Sequence, residues 1–174
     1  MDAKILVVVK DSIFKDALRE KLDKRGFSVI AVSERSAAVE AVAGNEIDIV
    51  LLDIRNQGKE AMQTMTEMKQ ANPTAEVIML ASDFDISWSM EGMRQGAADD
   101  ITVPFEIDKL IFKIHEIYRR KKSRISFRKL RSFLGVIENA MVAATFAQAG
   151  EFETAKEIHG RTEDDKSGSS GKRD

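Results

Sequence analysis

The chain has no cysteine and only two histidines, His115 and His159, so its reactive side chains are mainly carboxylates, ammonium groups and guanidinium groups. That excludes thiol catalysis, a zinc ribbon and a disulfide framework, and leaves histidine metal clusters and Ser-His-Asp catalysis without material. Asp53 directly follows the apolar run Ile47 to Leu52, and Lys10 and Asp11 directly follow Ile5-Leu6-Val7-Val8-Val9. Carboxylate oxygens suit a hard cation only when several converge, and a neighbouring ammonium works against them. A second kind of chemistry belongs to Arg119, Arg120, Lys121, Lys122, Arg124, Arg128, Lys129 and Arg131, a run of cations with no acid among them. Such a run either meets an anionic partner or is a solvated helix face.

These groups need a scaffold, and the apolar pattern supplies one. Apolar residues make up 43% of the 174 and charged residues 32%, with net charge −2, which suits one soluble domain with an ordinary core and a small appendage. Ile5 to Val9, Phe27 to Val32, Ile47 to Leu52, Val77 to Ala81 and a less regular run near Ala97 to Val103 read as strands, the first buried on both faces. Between them, Phe14, Leu18 and Leu22 are spaced by four before Gly26, Ala38, Ala41 and Val42 precede Gly44, and Met62, Met65 and Met68 recur every three before Asn72-Pro73. Ile86, Met90 and Met93 lead to Gly96, and Leu110, Ile114 and Ile117 close the series. Five strands alternating with five helices predict a doubly wound, five-stranded parallel sheet, a flavodoxin-like (βα)5 α/β fold, over residues 1–122. Ligand chemistry in such sheets sits at the carboxyl ends of the strands. The methionines at 62, 65, 68, 79, 90 and 93 read as gap-filling core.

Residues 123–160 read as a helical extension. Phe127, Leu130, Leu134, Ile137, Met141 and Ala144 follow heptad steps, and Gly150 reads as a stop, so that Phe152, Ala155 and Ile158 would fold back as the second arm of a helical hairpin. Residues 161–174 are Ser, Gly and charge with nothing to bury and are expected to be disordered. No apolar run reaches the roughly 20 residues that would span a bilayer, and Met1-Asp2-Ala3-Lys4 is too quickly polar for a signal peptide. The expected location is cytoplasmic.

Three segments carry a resemblance: Asp48-Ile49-Val50-Leu51-Leu52-Asp53-Ile54-Arg55, Val77-Ile78-Met79-Leu80, and Gly96-Ala97-Ala98-Asp99-Asp100-Ile101-Thr102-Val103-Pro104-Phe105. In this order and spacing the chain resembles a response-regulator receiver domain. The match runs ungapped from Ile5 to about Gly44 and from Asp48 to Gly58, and resumes from Val77 to Tyr118 after a short deletion. The resemblance implies phosphoryl transfer to Asp53, with Mg2+ held by an acidic pair after the first strand, a hydroxyl after the fourth strand and a lysine before the proline after the fifth. Those helper positions are Val9 and Lys10, Ala81 and Val103 here. The Pro-Gly turn reads Gln57-Gly58, and the aromatic switch position is Asp100. Only the acceptor is kept. The resemblance also implies a cis Val103–Pro104 bond.

Two readings of the pocket follow. In one, Lys10 pairs with Asp53 and takes over the role of the metal and the lost lysine, which holds the pocket in one state; in the other Lys10 points into solvent. Asp53 is accordingly either a phosphoacceptor that works inefficiently or a relic carboxylate. No cofactor is expected, and Mg2+ enters only if the phospho-switch survives, at a feeble site made of Asp11 and Asp53. Trp88 replaces a residue usually polar on the fourth helix, and reads as half-buried packing first and a partner surface second. The expected function is a degenerate receiver of two-component signalling that turns over no small substrate and acts by contact with a sensor kinase or downstream effector. Trp88, Leu130, Leu134, Ile137 and Met141 are the candidate interface residues, the last four in a homodimer through the C-terminal helices. The alternative is a nucleic-acid regulator using the basic run 119–131, because Val136 to Ala155 faintly resembles the ANTAR RNA-binding module. That module's third helix is missing, and nucleic acid is not the expected partner.

Overall fold

Strand-forming runs and amphipathic helices alternate without exception along the first part of the chain. A computed structural model describes residues 3–160, with side chains through Glu138 and at Met141. The elements are β1 (Lys4–Val8), α1 (Ser12–Asp23), β2 (Ser28–Val32), α2 (Arg35–Gly44), β3 (Ile49–Asp53), α3 (Gly58–Ala71), β4 (Glu76–Ala81), α4 (Ile86–Arg94), β5 (Asp99–Thr102) and α5 (Ile107–Gly160). All strand pairs are parallel, in the order β2-β1-β3-β4-β5. The doubly wound (βα)5 sheet predicted from the alternation is therefore present.

Alternate residues of the central strands feed two cores. Leu6, Val50, Leu52, Val77 and Met79 face α2 and α3 through Ala38, Val42, Met62, Met65 and Met68. Ile5, Val7, Ile49, Leu51, Ile78 and Leu80 face α1 and α5 through Leu18, Leu22, Leu110, Ile114 and Ile117. Full burial of each such side chain is worth about 1.5–3 kcal/mol, and this double layer sets the positions of the strand ends. Met62, Met65, Met68 and Met79 are core, as expected, whereas Met90 and Met93 are 66% and 46% exposed. The correction has a simple cause: Ile86, Met90 and Met93 line the outer stripe of α4, and its inner stripe is made by Ser89 and Gly92. Gly92 lies so close to Met79 that a Cβ there would overlap its sulfur.

Local signals close the helices as their residues dictate. Asp11 caps α1, its Oδ1 accepting from Phe14 N at 3.1 Å. Gly26 (φ 84°) and Gly96 (φ 95°) take the left-handed conformation that glycine tolerates best, one after α1 and one after α4. The expected cis bond at Val103–Pro104 is present.

The expected hairpin is not. α5 runs as one helix from Ile107 to Gly160, through Gly150. A glycine inside a helix costs about 1 kcal/mol relative to alanine, and Ala143, Ala144, Ala147 and Ala149 around it are the strongest helix formers available. The chain divides into two compact units after Arg124. In the second, Phe127, Leu130, Phe133, Leu134, Val136, Ile137 and Met141 are all exposed. The expectation of disorder for 161–174 lies outside the described residues, as does any statement about the side chain of Ala144.

Candidate functional site

Asp53 ends β3, the middle strand of the sheet, and is 5% exposed. A carboxylate at that depth requires a counter-charge and hydrogen bonds. The chain provides both two residues later. Arg55 donates from Nε to Asp53 Oδ1 at 2.9 Å and from Nη2 to Oδ2 at 2.8 Å, and its backbone N–H reaches Oδ1 at 3.1 Å. Gln57 Nε2 donates to the Asp53 carbonyl at 2.8 Å. The turn that brings Arg55 back passes through Asn56, whose φ of 58° is a left-handed conformation that asparagine accepts more readily than most side chains.

The other face of the guanidinium is also covered. Its Cζ lies 4.5 Å from the Phe14 ring centroid, and Phe14 meets Phe105 edge-on at 6.5 Å. The hydrogen bonds to Asp53 raise the Arg55 pKa above its ordinary value, burial opposes them, and the charges of Asp53, Asp11 and Asp85 add to the rise. Arg55 is therefore a permanent cation clamped between a carboxylate and an aromatic face.

Of the two readings of Lys10, the pairing with Asp53 is not formed. Its Nζ donates to Glu60 Oε2 at 2.7 Å, across the mouth of the pocket, and both side chains are about half exposed. The reason is geometric. A planar guanidinium satisfies both carboxylate oxygens at once, and one only two residues along the chain needs little loop ordering to do so. The signal for it was the Asp53-x-Arg55 spacing at a strand end, just before a residue type that favours a reversing turn.

Around this pair lies a pocket of about 750 Å3 that brings together Lys10, Asp11, Asp53, Arg55, Lys59, Glu60, Asp85 and Trp88. Val9 is buried beneath it and lines only a narrow crevice toward α3. Ala81 is buried, and Val103 is partly buried with its N–H on the Ala81 carbonyl; neither they nor Pro104 line the pocket. Trp88 is half-buried and lies flat over Gly58, where a Cβ would strike its ring. Asp85 Oδ2 accepts from Ser82 N at 2.9 Å and Ser82 Oγ at 2.5 Å, which spends it on the β4–α4 turn.

These donors do not suit the Mg2+ that the fold implies. Asp11 caps a helix, both Asp53 oxygens serve Arg55, and Val9 and Lys10 stand where carboxylates would be needed. Among the described residues no three acidic or imidazole groups cluster to hold a metal ion.

The basic run is divided by the fold. Lys121 is buried and donates to Asp48 Oδ1 at 2.9 Å; Arg124 pairs with Glu76; Lys122 lies 5.3 Å from the Tyr118 ring centroid. Arg120 reaches Glu116 at 3.6 Å. Arg128, Lys129 and Arg131 are exposed in the second unit. Part of the run thus fastens α5 to the N-terminal ends of β3 and β4.

A doubly wound five-stranded parallel sheet with a buried aspartate closing its middle strand defines a receiver-type sandwich. The chain belongs to the response regulator receiver domain family, whose model matches residues 5–115, and so carries a receiver of two-component signalling. It is 28% identical over 116 residues to the transcriptional regulatory protein FixJ of Bradyrhizobium diazoefficiens, a match covering 67% of this chain and 57% of that protein. Among solved structures, NtrX from Brucella abortus in complex with ADP matches with TM-score 0.69 and 26% identity, over 75% of this chain and 29% of that one. A response regulator from Thermotoga maritima matches with TM-score 0.62 and 25% identity, over 68% and 99%. No helix among the described residues is long and apolar enough to cross a membrane.

Proposed function

We propose that this chain is a degenerate receiver that signals by protein contact, with Asp53 held by Arg55 instead of serving as a phosphoryl acceptor. The observation that carries this reading is that both Asp53 oxygens are already engaged by one guanidinium. In that fork Oδ1 accepts two hydrogen bonds and Oδ2 one, so an attack on phosphorus must first pull the carboxylate away from its guanidinium partner. Incubation with acetyl phosphate and Mg2+, followed by mass spectrometry of the intact chain, is expected to show no aspartyl phosphate at Asp53. Stoichiometric labelling there would replace this reading with an ordinary phospho-switch.

The contact surfaces available for such signalling are apolar. Ile86, Met90 and Met93 form an exposed stripe on α4 that suits a sensor kinase or a downstream effector. Leu130, Leu134 and Ile137 form a second stripe at heptad spacing on the C-terminal half of α5, which suits a second copy of the same helix. Leu134→Asp is expected to leave the sheet folded and to convert a dimer to a monomer in sedimentation velocity. An unchanged mass would remove the helix from the interface.

A further inference from the structure

At the opposite end of the sheet from Asp53, a groove of about 630 Å3 lies between α5 and the entrance to β5. Its floor is small and apolar, made of Ala97, Ala98 and the buried Ile117. Its wall carries Arg119, Arg120 and Arg124 with the Ser123 hydroxyl, and Glu76 is the one acid among the lining residues. Arg124 is paired with Glu76, and Arg120 only loosely with Glu116. The Arg119 side chain has no hydrogen-bond or ion-pair partner among the described residues, and neither has the Ser123 hydroxyl.

The positive charge here exceeds what Glu76 offsets. Burial holds the nearby Lys69 ammonium below its ordinary pKa; Glu76 opposes the shift, and Arg124 and Lys121 deepen it. Guanidinium forks match phosphate oxygens in pairs, and the five steps from Arg119 to Arg124 rise about 7.5 Å along the helix, room for two linked phosphoryl groups. The groove has the size of sites that hold small organic ligands and is far larger than a bare phosphate needs.

We infer that this groove binds a small organic diphosphate, its phosphoryl oxygens on Arg119, Arg120 and Arg124 and its organic part on Ala97, Ala98 and Ile117. Being at the far end of the sheet from Asp53, the site is independent of how that pocket is used.

The test is isothermal titration of the full chain with UDP, inorganic pyrophosphate and inorganic phosphate. UDP is expected to bind at least about tenfold more tightly than phosphate, and an Arg119→Ala/Arg120→Ala variant to lose at least about tenfold in UDP affinity, since a charge-assisted hydrogen bond is worth about a factor of ten or more. Both arginines are exposed, so the variant should melt at the parent temperature. Lys59→Ala, in the Asp53 pocket, should leave the UDP affinity unchanged. Absence of UDP binding at millimolar concentration, or binding that ignores the double substitution, would overturn the site. Displacement of UDP by a short DNA duplex at equal or lower phosphate concentration would overturn it too, in favour of a nucleic-acid surface.

Discussion

Arg55→Met should lower the stability of the folded chain by about 2–3 kcal/mol and its melting temperature by roughly 10 °C. Breaking a fully buried pair typically costs about 3–5 kcal/mol, and the smaller figure allows for the partial exposure of the guanidinium. Methionine removes the guanidinium from the Phe14 ring as well as from Asp53, so the comparison with an Asp53 variant isolates the charge left behind. Adding Asp53→Asn to Arg55→Met should recover much of the loss, because an amide is cheaper to bury than an unpaired carboxylate. The coupling between the two positions in a double-mutant cycle is expected to exceed about 1.5 kcal/mol. Thermal or urea unfolding of the four proteins measures this. If Arg55→Met melts within a degree of the parent, the clamp is not formed and the reading of Asp53 as an occupied group goes with it.

Lys121→Met is expected to cost a similar amount, about 2–4 kcal/mol, for a different reason. Asp48 is a junction: its Oδ2 accepts from Lys4 N at 3.1 Å, its Oδ1 from Lys121 Nζ at 2.9 Å, and its carbonyl from Glu76 N at 2.9 Å. The start of β1, the approach to β3, the start of β4 and α5 meet there. The Lys121 side chain is only 7% exposed, so salt screens this pair little. The loss should persist in 0.5 M NaCl, whereas Lys10→Met, which removes an ion pair about half exposed at both ends, should change stability by less than about 1 kcal/mol and less still in salt. Equal effects of the two substitutions in high salt would show that the Lys121 ammonium is not buried against Asp48.

Together these results would separate two uses of charge that look alike along the chain. Arg55 stands two residues from Asp53, and Lys10 follows the neighbouring strand β1, where family position singled it out because receivers keep a metal ligand there. The lysine goes to Glu60 at the pocket mouth, and the arginine goes to the carboxylate. Likewise Arg119 to Arg131 read as one basic face, yet Lys121 is buried and Arg124 is paired, which leaves Arg119 facing a groove and Arg128, Lys129 and Arg131 in solvent. The packing expected of Trp88 is present: its half-buried ring lies over Gly58, and it also edges the Asp53 pocket.

The amino-acid sequence by itself determined the alternation of five strands and five helices and the burial of β1, β3 and β4. These are properties of residue type and local period, and a run such as Ile49-Val50-Leu51-Leu52 has few alternatives to a buried strand. Only the tertiary structure decided which cation reaches Asp53, that Gly150 does not end α5, that Met90 and Met93 face outward, and that the basic run is shared between a buried ion pair and an open groove. Each of those depends on the direction a flexible side chain takes once the sheet has set its neighbours, or on a balance of about 1 kcal/mol between continuing a helix and turning. Composition and spacing do not carry that information, because the partner that wins is the one whose geometry completes the hydrogen bonds in three dimensions.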